Sequence, residues 1–157
     1  MATPDVYIVT GEKQSGKTTR LLNAIQNRDD VYGMLTPDVD GKRFFMNVRT
    51  KELWPMEAAE AEANVLTIGK YRFSKAAFQK AISVLEAEAN QQNGWLIVDE
   101  LGPLELKKSG FYNTVRDLLN TNTPLKIILV IRQSLLGEMT ELFGISNYAV
   151  VDNALPE

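Results

Sequence analysis

The sequence predicts an α/β fold in which a mostly parallel sheet is flanked by helices. Three features carry that prediction. Four short apolar runs, "VYIV" (6–9), "WLIV" (95–98), "IILVI" (127–131) and "YAVV" (148–151), have strand length and β-branched content. Their hydrophobicity is continuous rather than alternating, as expected of strands buried on both faces. Helical patterns lie between them, which is the spacing of crossover connections. A glycine-bearing turn, "GEKQSGKT" (11–18), joins the first run to the first helical pattern.

Taken in order, "VYIV" is the first strand and "TTRLLNAIQN" (18–27) the helix after it. The segment 31–56 behaves differently. Its pieces "YGMLTPDV", "KRFFMNVRT" and "ELWPM" carry turn signals at Asp40-Gly41 and Lys51-Glu52, so it reads as a small antiparallel hairpin extension. The acidic "EAAEAEAN" (57–64) reads as a short helix or solvated connector. "SKAAFQKAISVLEAEANQQN" (74–93) opens on Ser74 as N-cap, places Phe78, Ile82, Leu85 and Ala89 on one face, and stops near Asn93-Gly94. "FYNTVRDLLN" (111–120) and "LLGEMTELFG" (135–144) are helical patterns before and after the "IILVI" strand. There is no internal repeat or low-complexity tail.

A chain of 157 residues, 45% hydrophobic and 24% charged, is expected to form one domain, 1–157, with a sizeable core. Its net charge of -3 supplies no field for a polyanion, so no nucleic-acid surface is expected and any anion must be held locally. Cysteine and histidine are both absent, which removes thiolate chemistry and the commonest general base and transition-metal ligand. Chemistry must run on carboxylates, Lys, Arg, hydroxyls, backbone amides and an oxygen-bound cation. The start, "MATPDVYIVTG", has no signal-like core, and no run approaches the ~18 apolar residues of a bilayer span. A cytoplasmic protein without a membrane partner is expected, with a monomer as the favoured state.

Residues 11–18 match G-x-x-x-x-G-K-[ST]. Bound phosphate needs several converging N–H groups, glycines where the loop bends tightly, and the positive end of a helix. The candidate nucleotide-binding residues are Gly11, Glu12, Lys13, Gln14, Ser15, Gly16, Lys17, Thr18 and Thr19. Lys17 would reach the β and γ phosphates, and the Thr18 hydroxyl would coordinate Mg²⁺. The plainer reading is a glycine turn with a surface Lys and a capping Thr, which leaves the strand-loop-helix context unexplained.

"WLIVDEL" (95–101) ends an apolar strand in two carboxylates, a costly arrangement unless they face ligand or water. The C-terminal ends of strands are where open α/β sheets bind ligands. Asp99 suits the metal's shell, and Glu100 suits polarisation of an attacking water. A strand-terminal Asp-Glu that merely caps the next turn is the alternative. Residues 99–102 also fit the D-x-x-G of switch GTPases, but no N-K-x-D for reading guanine occurs anywhere.

The phosphate loop, "YGMLTPDVDGKRFFMNV", "IGKYRFSKAAFQKA" and "WLIVDELGPLEL" together resemble the small P-loop nucleoside-triphosphatase family, that of the cancer-related nucleoside triphosphatase. The likeness runs from about Val6 to Arg132 and weakens afterwards. It implies a RecA-like P-loop fold. It also implies Mg²⁺-dependent, slow hydrolysis of several nucleoside triphosphates, ATP and GTP among them, to the diphosphate and phosphate with little base discrimination. By position, Lys17 and Thr18 then bind phosphate and metal, Asp99 attends the metal and Glu100 activates water. If the likeness extends to strand order, the strand before Arg132 lies between the phosphate-loop and Asp-Glu strands. Arg132 would then point to the γ-phosphate as an internal finger, against the equal alternative of a surface arginine. Gly69-Lys70-Tyr71 and Glu105 also match, with structural roles expected. Gln14 departs from the family's usual glycine, at about 1 to 2 kcal/mol if that backbone is left-handed.

Two further function classes stay open. In a small-molecule or nucleotide kinase, Glu100 or Asp99 would face an acceptor hydroxyl. Arg43 and Arg49 lie in the hairpin segment, yet no clustered arginine lid follows. In a nucleotide-gated binding module, Phe44, Phe45 and Trp54 would meet a protein or RNA partner, although aromatics in a hairpin more often belong to the core.

Overall fold

The computed structural model describes residues 5–11 and 16–151. Its main sheet contains β1 (Asp5–Gly11), β2 (Val31–Leu35), β3 (Asp38–Val39), β4 (Lys42–Asn47), β5 (Leu53–Pro55), β8 (Trp95–Leu101), β9 (Lys126–Arg132) and β10 (Ala149–Val151). A separate antiparallel hairpin is made by β6 (Val65–Ile68) and β7 (Tyr71–Ser74). The main order is β10-β1-β9-β8-β2-β4-β3, with β5 paired to β4. β10, β1, β9, β8 and β2 run parallel, and β2 to β5 add antiparallel pairs at the far end.

The helices are α1 (Lys17–Ile25), α2 (Lys75–Glu88), α3 (Pro103–Leu106), α4 (Tyr112–Leu119) and α5 (Leu136–Phe143). Alternate strand residues divide the core. Val9, Ile97, Ile128 and Val130 pack on one face with Leu21 and Ile25 of α1. Ile8, Leu96, Leu129 and Ile131 pack on the other with Phe78 of α2, Val115 of α4 and Met139 of α5. Continuous apolar strands are what this two-sided burial requires. No helix among the described residues is long and apolar enough to cross a membrane.

Ser74 caps α2 as its position suggests, its hydroxyl accepting from the Ala77 N–H at 3.1 Å, and α2 stops at Glu88, short of Asn93. The segment 31–56 supplies the antiparallel pairs expected of it, but it is no appendage, because β2 lies beside β8 in the main sheet. Gly33 permits that close approach: its φ is 111° and a Cβ there would fall 2.2 Å from the Ile97 carbonyl oxygen. The acidic stretch 57–64 is a connector rather than a helix. The edge strand β10 is not buried on both faces, since Val150 is 52% exposed.

Candidate active site

β1 ends at Gly11 and α1 begins after Gly16, whose φ of 82° is natural for glycine, so the described residues flank the G-x-x-x-x-G-K-[ST] stretch. Glu12, Lys13, Gln14, Ser15 and the side chain of Lys17 lie outside what the structure describes. Thr18 lies in the first turn of α1, and Thr19 follows it.

β9 separates β1 from β8, so Arg132 ends the strand between the phosphate loop and the two carboxylates, with Gly11 as its register partner. At the end of β8 the register slips: Val98 faces Leu129, whereas Leu101 faces Ile131. Three residues on β8 span two on β9, which is a bulge. Glu100 occupies it with φ 59°, a left-handed conformation costing a non-glycine residue about 1 to 2 kcal/mol. Such a bulge re-aims side chains, and here successive carboxylates take up different surroundings.

Asp99 is buried, and one of its oxygens, Oδ2, accepts three hydrogen bonds. They come from the Thr18 hydroxyl at 2.8 Å and from the Thr36 amide and hydroxyl, both at 3.0 Å. Its other oxygen, Oδ1, is buried without a hydrogen-bond partner. Burial pushes the Asp99 carboxyl above its ordinary range despite the Thr36 and Thr18 donors. A buried carboxylate with an orphaned oxygen, joined to a hydroxyl at a helix start, offers the hard donors a divalent cation takes. Magnesium in particular is held by one or two protein oxygens, with water and phosphate completing its shell.

Glu100 is ion-paired to Nη1 of Arg43 on β4, whose Nε also reaches Asp38 at 3.2 Å. Burial raises the Glu100 carboxyl; the Arg43 charge opposes that shift and the Asp99 charge adds to it. Thr36, Asp99, Glu100 and Arg132 line one cavity of about 400 Å³. The structure therefore assembles Thr18, Asp99, Glu100 and Arg132 at the C-terminal edge of the parallel strands.

Glu105 lines the same cavity but is tied into its own turn. Its oxygens accept from the Gly102 and Phe111 amides at 2.7 and 2.9 Å, closing the turn around α3. Burial pushes its pKa up to about 7 against those donors. Gly69 and Lys70 form the turn of the β6–β7 hairpin. Phe45 and Trp54 are buried in the core, so neither presents a partner surface.

Two participants were missed in the sequence. Thr36 follows β2, and its role needs β2 to lie beside β8; the apolar run ahead of Pro37 was the available signal. Arg43 was visible only as a hairpin arginine, with no local cue to Glu100.

Residues 6–153 match the NTPase family. The chain belongs to that family. The match extends well beyond Arg132, where resemblance by motif had faded. This NTPase is 28% identical over 148 residues to the nucleoside-triphosphatase THEP1 of Saccharolobus solfataricus, covering 88% of this chain and 83% of the relative. Its fold is similar to that of THEP1 from Aquifex aeolicus, with a TM-score of 0.74, 19% identity and coverage of 95% and 90% of the two chains. It is also similar to a human cancer-related nucleoside triphosphatase, with a TM-score of 0.66, 21% identity and coverage of 98% and 89%. The chain is thus a P-loop NTP hydrolase, and its mostly parallel sheet is that of these neighbours.

Proposed function

We propose that this NTPase hydrolyses several nucleoside triphosphates to the diphosphate and phosphate, with Mg²⁺, little base discrimination and slow turnover. The observation that carries the reading is the Asp99 carboxylate, bonded to Thr18 through one oxygen and orphaned at the other, with Glu100 next to it. Thr18 and Asp99 would hold the magnesium, which supplies charge neutralisation on the phosphates. Backbone amides of residues 11–19 and Lys17 would hold the phosphate chain. Glu100 would orient a water and take its proton, and Arg132 would face the charge that develops on the terminal phosphoryl group.

Slow turnover is supported by the ion pair between Glu100 and Arg43, because the carboxylate must leave the guanidinium before it can orient a water. Broad specificity is supported by the missing guanine-reading motif. A single chain in the cytoplasm completes the reading.

Phosphate release from ATP, GTP, CTP and UTP with and without Mg²⁺ tests it. Release from several nucleotides, abolished by metal removal and by Lys17→Ala, is expected. Tight nucleotide binding with no release would overturn it.

A further inference from the structure

The cavity beside Glu100 is larger than hydrolysis needs. A water molecule claims about 30 Å³ of liquid, whereas the space has about 400 Å³ and falls within the range of small-molecule sites. It also lies in a particular direction. Gly11, the first residue of the phosphate-loop motif, ends β1, Arg132 ends β9 and Glu100 lies near the end of β8. From there the cavity continues away from β1, past Thr36 and Arg43 to Ile68, Tyr71 and Phe73 of the β6–β7 hairpin. That is the side beyond a terminal phosphate, where a phosphoryl acceptor would stand.

Its lining indicates the acceptor's chemistry. Tyr71 and Phe73 stack at an interplanar angle of 12°, and Tyr71 is 46% exposed at the rim. An exposed aromatic face next to apolar walls suits a planar ring. Charge disfavours an anionic acceptor: five carboxyl groups, Asp38, Glu57, Asp99, Glu100 and Glu105, line the space against two guanidiniums, Arg43 and Arg132, and Arg43 is already paired with Asp38 and Glu100. Glu100 stands between this aromatic end and the phosphate site.

We propose that this cavity binds a neutral or cationic aromatic alcohol, of which a nucleoside is the type, and that the enzyme transfers the terminal phosphoryl group to its hydroxyl in competition with water. This rests on the roles given above to Glu100 and to the Thr18–Asp99 pair. The acceptor oxygen attacks the terminal phosphorus, and its proton passes to Glu100. The bond from that phosphorus to the bridging oxygen breaks, the nucleoside diphosphate leaves with the bonding electrons, and Glu100 returns the proton to solvent. The products are a phosphomonoester and a nucleoside diphosphate.

The test uses the full chain with MgATP and, as probes, adenosine, guanosine, cytidine, uridine, thymidine and riboflavin in turn. ADP, inorganic phosphate and phosphomonoester are followed by ³¹P NMR. At least one probe is expected to give a phosphomonoester and raise ADP formation about tenfold over water alone. Tyr71→Ala should then raise the probe concentration for half-maximal effect about tenfold, and Tyr71→Phe should restore it.

Phosphate release that continues with no phosphomonoester from any probe overturns the acceptor proposal and leaves the hydrolase reading standing. Phosphomonoester formed without any hydrolysis in the probe's absence supports the acceptor and overturns stand-alone hydrolysis. A phosphomonoester whose formation ignores Tyr71→Ala overturns this cavity as the site. No product of either kind overturns both readings.

Discussion

The end of β8 and the turn around α3 each bury a carboxylate, and they use it in opposite ways. Glu105 accepts from the Gly102 and Phe111 amides, both within its own turn. Asp99 draws donors from distant parts of the chain, Thr18 and Thr36, onto one oxygen and leaves the other with none. Burial alone therefore does not mark a functional acid. A carboxylate satisfied within its own turn is scaffold, whereas one with an orphaned oxygen among long-range partners is arranged for something else. Glu100 belongs with Asp99, since its charge is met by Arg43, 57 residues away, and its backbone is held in an unfavourable conformation.

The largest effect that tests this contrast is on turnover. Glu100→Gln keeps the side chain's shape but removes the base, and phosphate release should fall by about 10²- to 10⁴-fold. Stability should change by at most about 1 kcal/mol, since the Arg43 ion pair it loses is partly exposed. Steady-state phosphate release and urea unfolding on the same preparation check both. A variant that unfolds as well as stalls would place Glu100 with the scaffold.

Glu105 should show the reverse, through pH. Its folded pKa of about 7 lies above the ordinary 4.5, so the folded state holds the proton more tightly than the unfolded one. The stabilisation is fully present below about pH 4.5 and is lost as pH rises through 7, by on the order of 3 kcal/mol. Urea unfolding across that window should show the decline. Glu105→Gln, which cannot titrate, should make it shallower, leaving what the raised Asp99 and Glu100 carboxyls contribute, while turnover falls only in proportion to lost folding. An unchanged slope would assign the titration to another group.

Gly110 probes the same turn from outside. Its φ is 60°, and a Cβ would lie 2.2 Å from Glu105 Oε2. Gly110→Ala should cost about 1 to 3 kcal/mol, combining left-handed strain with displacement of the carboxylate. Thermal unfolding measures it, and a shift within error would show that the turn has slack.

Much of this division was legible in the residues. The four apolar runs became β1, β8, β9 and β10, and the carboxylates at residues 99 and 100 were marked by the cost of charge at the end of a buried strand. What stayed hidden depends on pairing across the chain. β2 contains Gly33, which weakens a strand in isolation and makes sense only against the Ile97 backbone. A hairpin extension over 31–56 gives no reason to place Thr36 beside Asp99; that needs β2 to pair with β8. The bulge had no local sign either, because glutamate rather than glycine occupies its left-handed position. Sequence spacing suggested which acids matter, but only the sheet order distinguishes Asp99 and Glu100 from Glu105.

The smallest expected effect is also the one whose sign separates the two carboxylates. In metal-free protein, Asp99→Asn replaces a buried charge with a neutral group. Its amide oxygen can take the place of Oδ2 and keep the donors from Thr18 and Thr36, while its NH₂ occupies the orphaned side. An unmet neutral amide is cheaper to bury than an unmet charged oxygen, so the variant should gain on the order of 1 kcal/mol at neutral pH. Glu105→Gln should instead lose stability below pH 4.5, because its NH₂ would confront a backbone N–H that now donates to carboxyl oxygen. Adding Mg²⁺ and ADP should then reverse the order at the first site, stabilising the native protein by about 2.7 kcal/mol at a hundredfold excess over Kd and the Asp99→Asn variant far less. Thermal unfolding in both conditions reads this out: loss of stability in the metal-free variant would mean that the Asp99 charge supports the fold, as a scaffold carboxylate would.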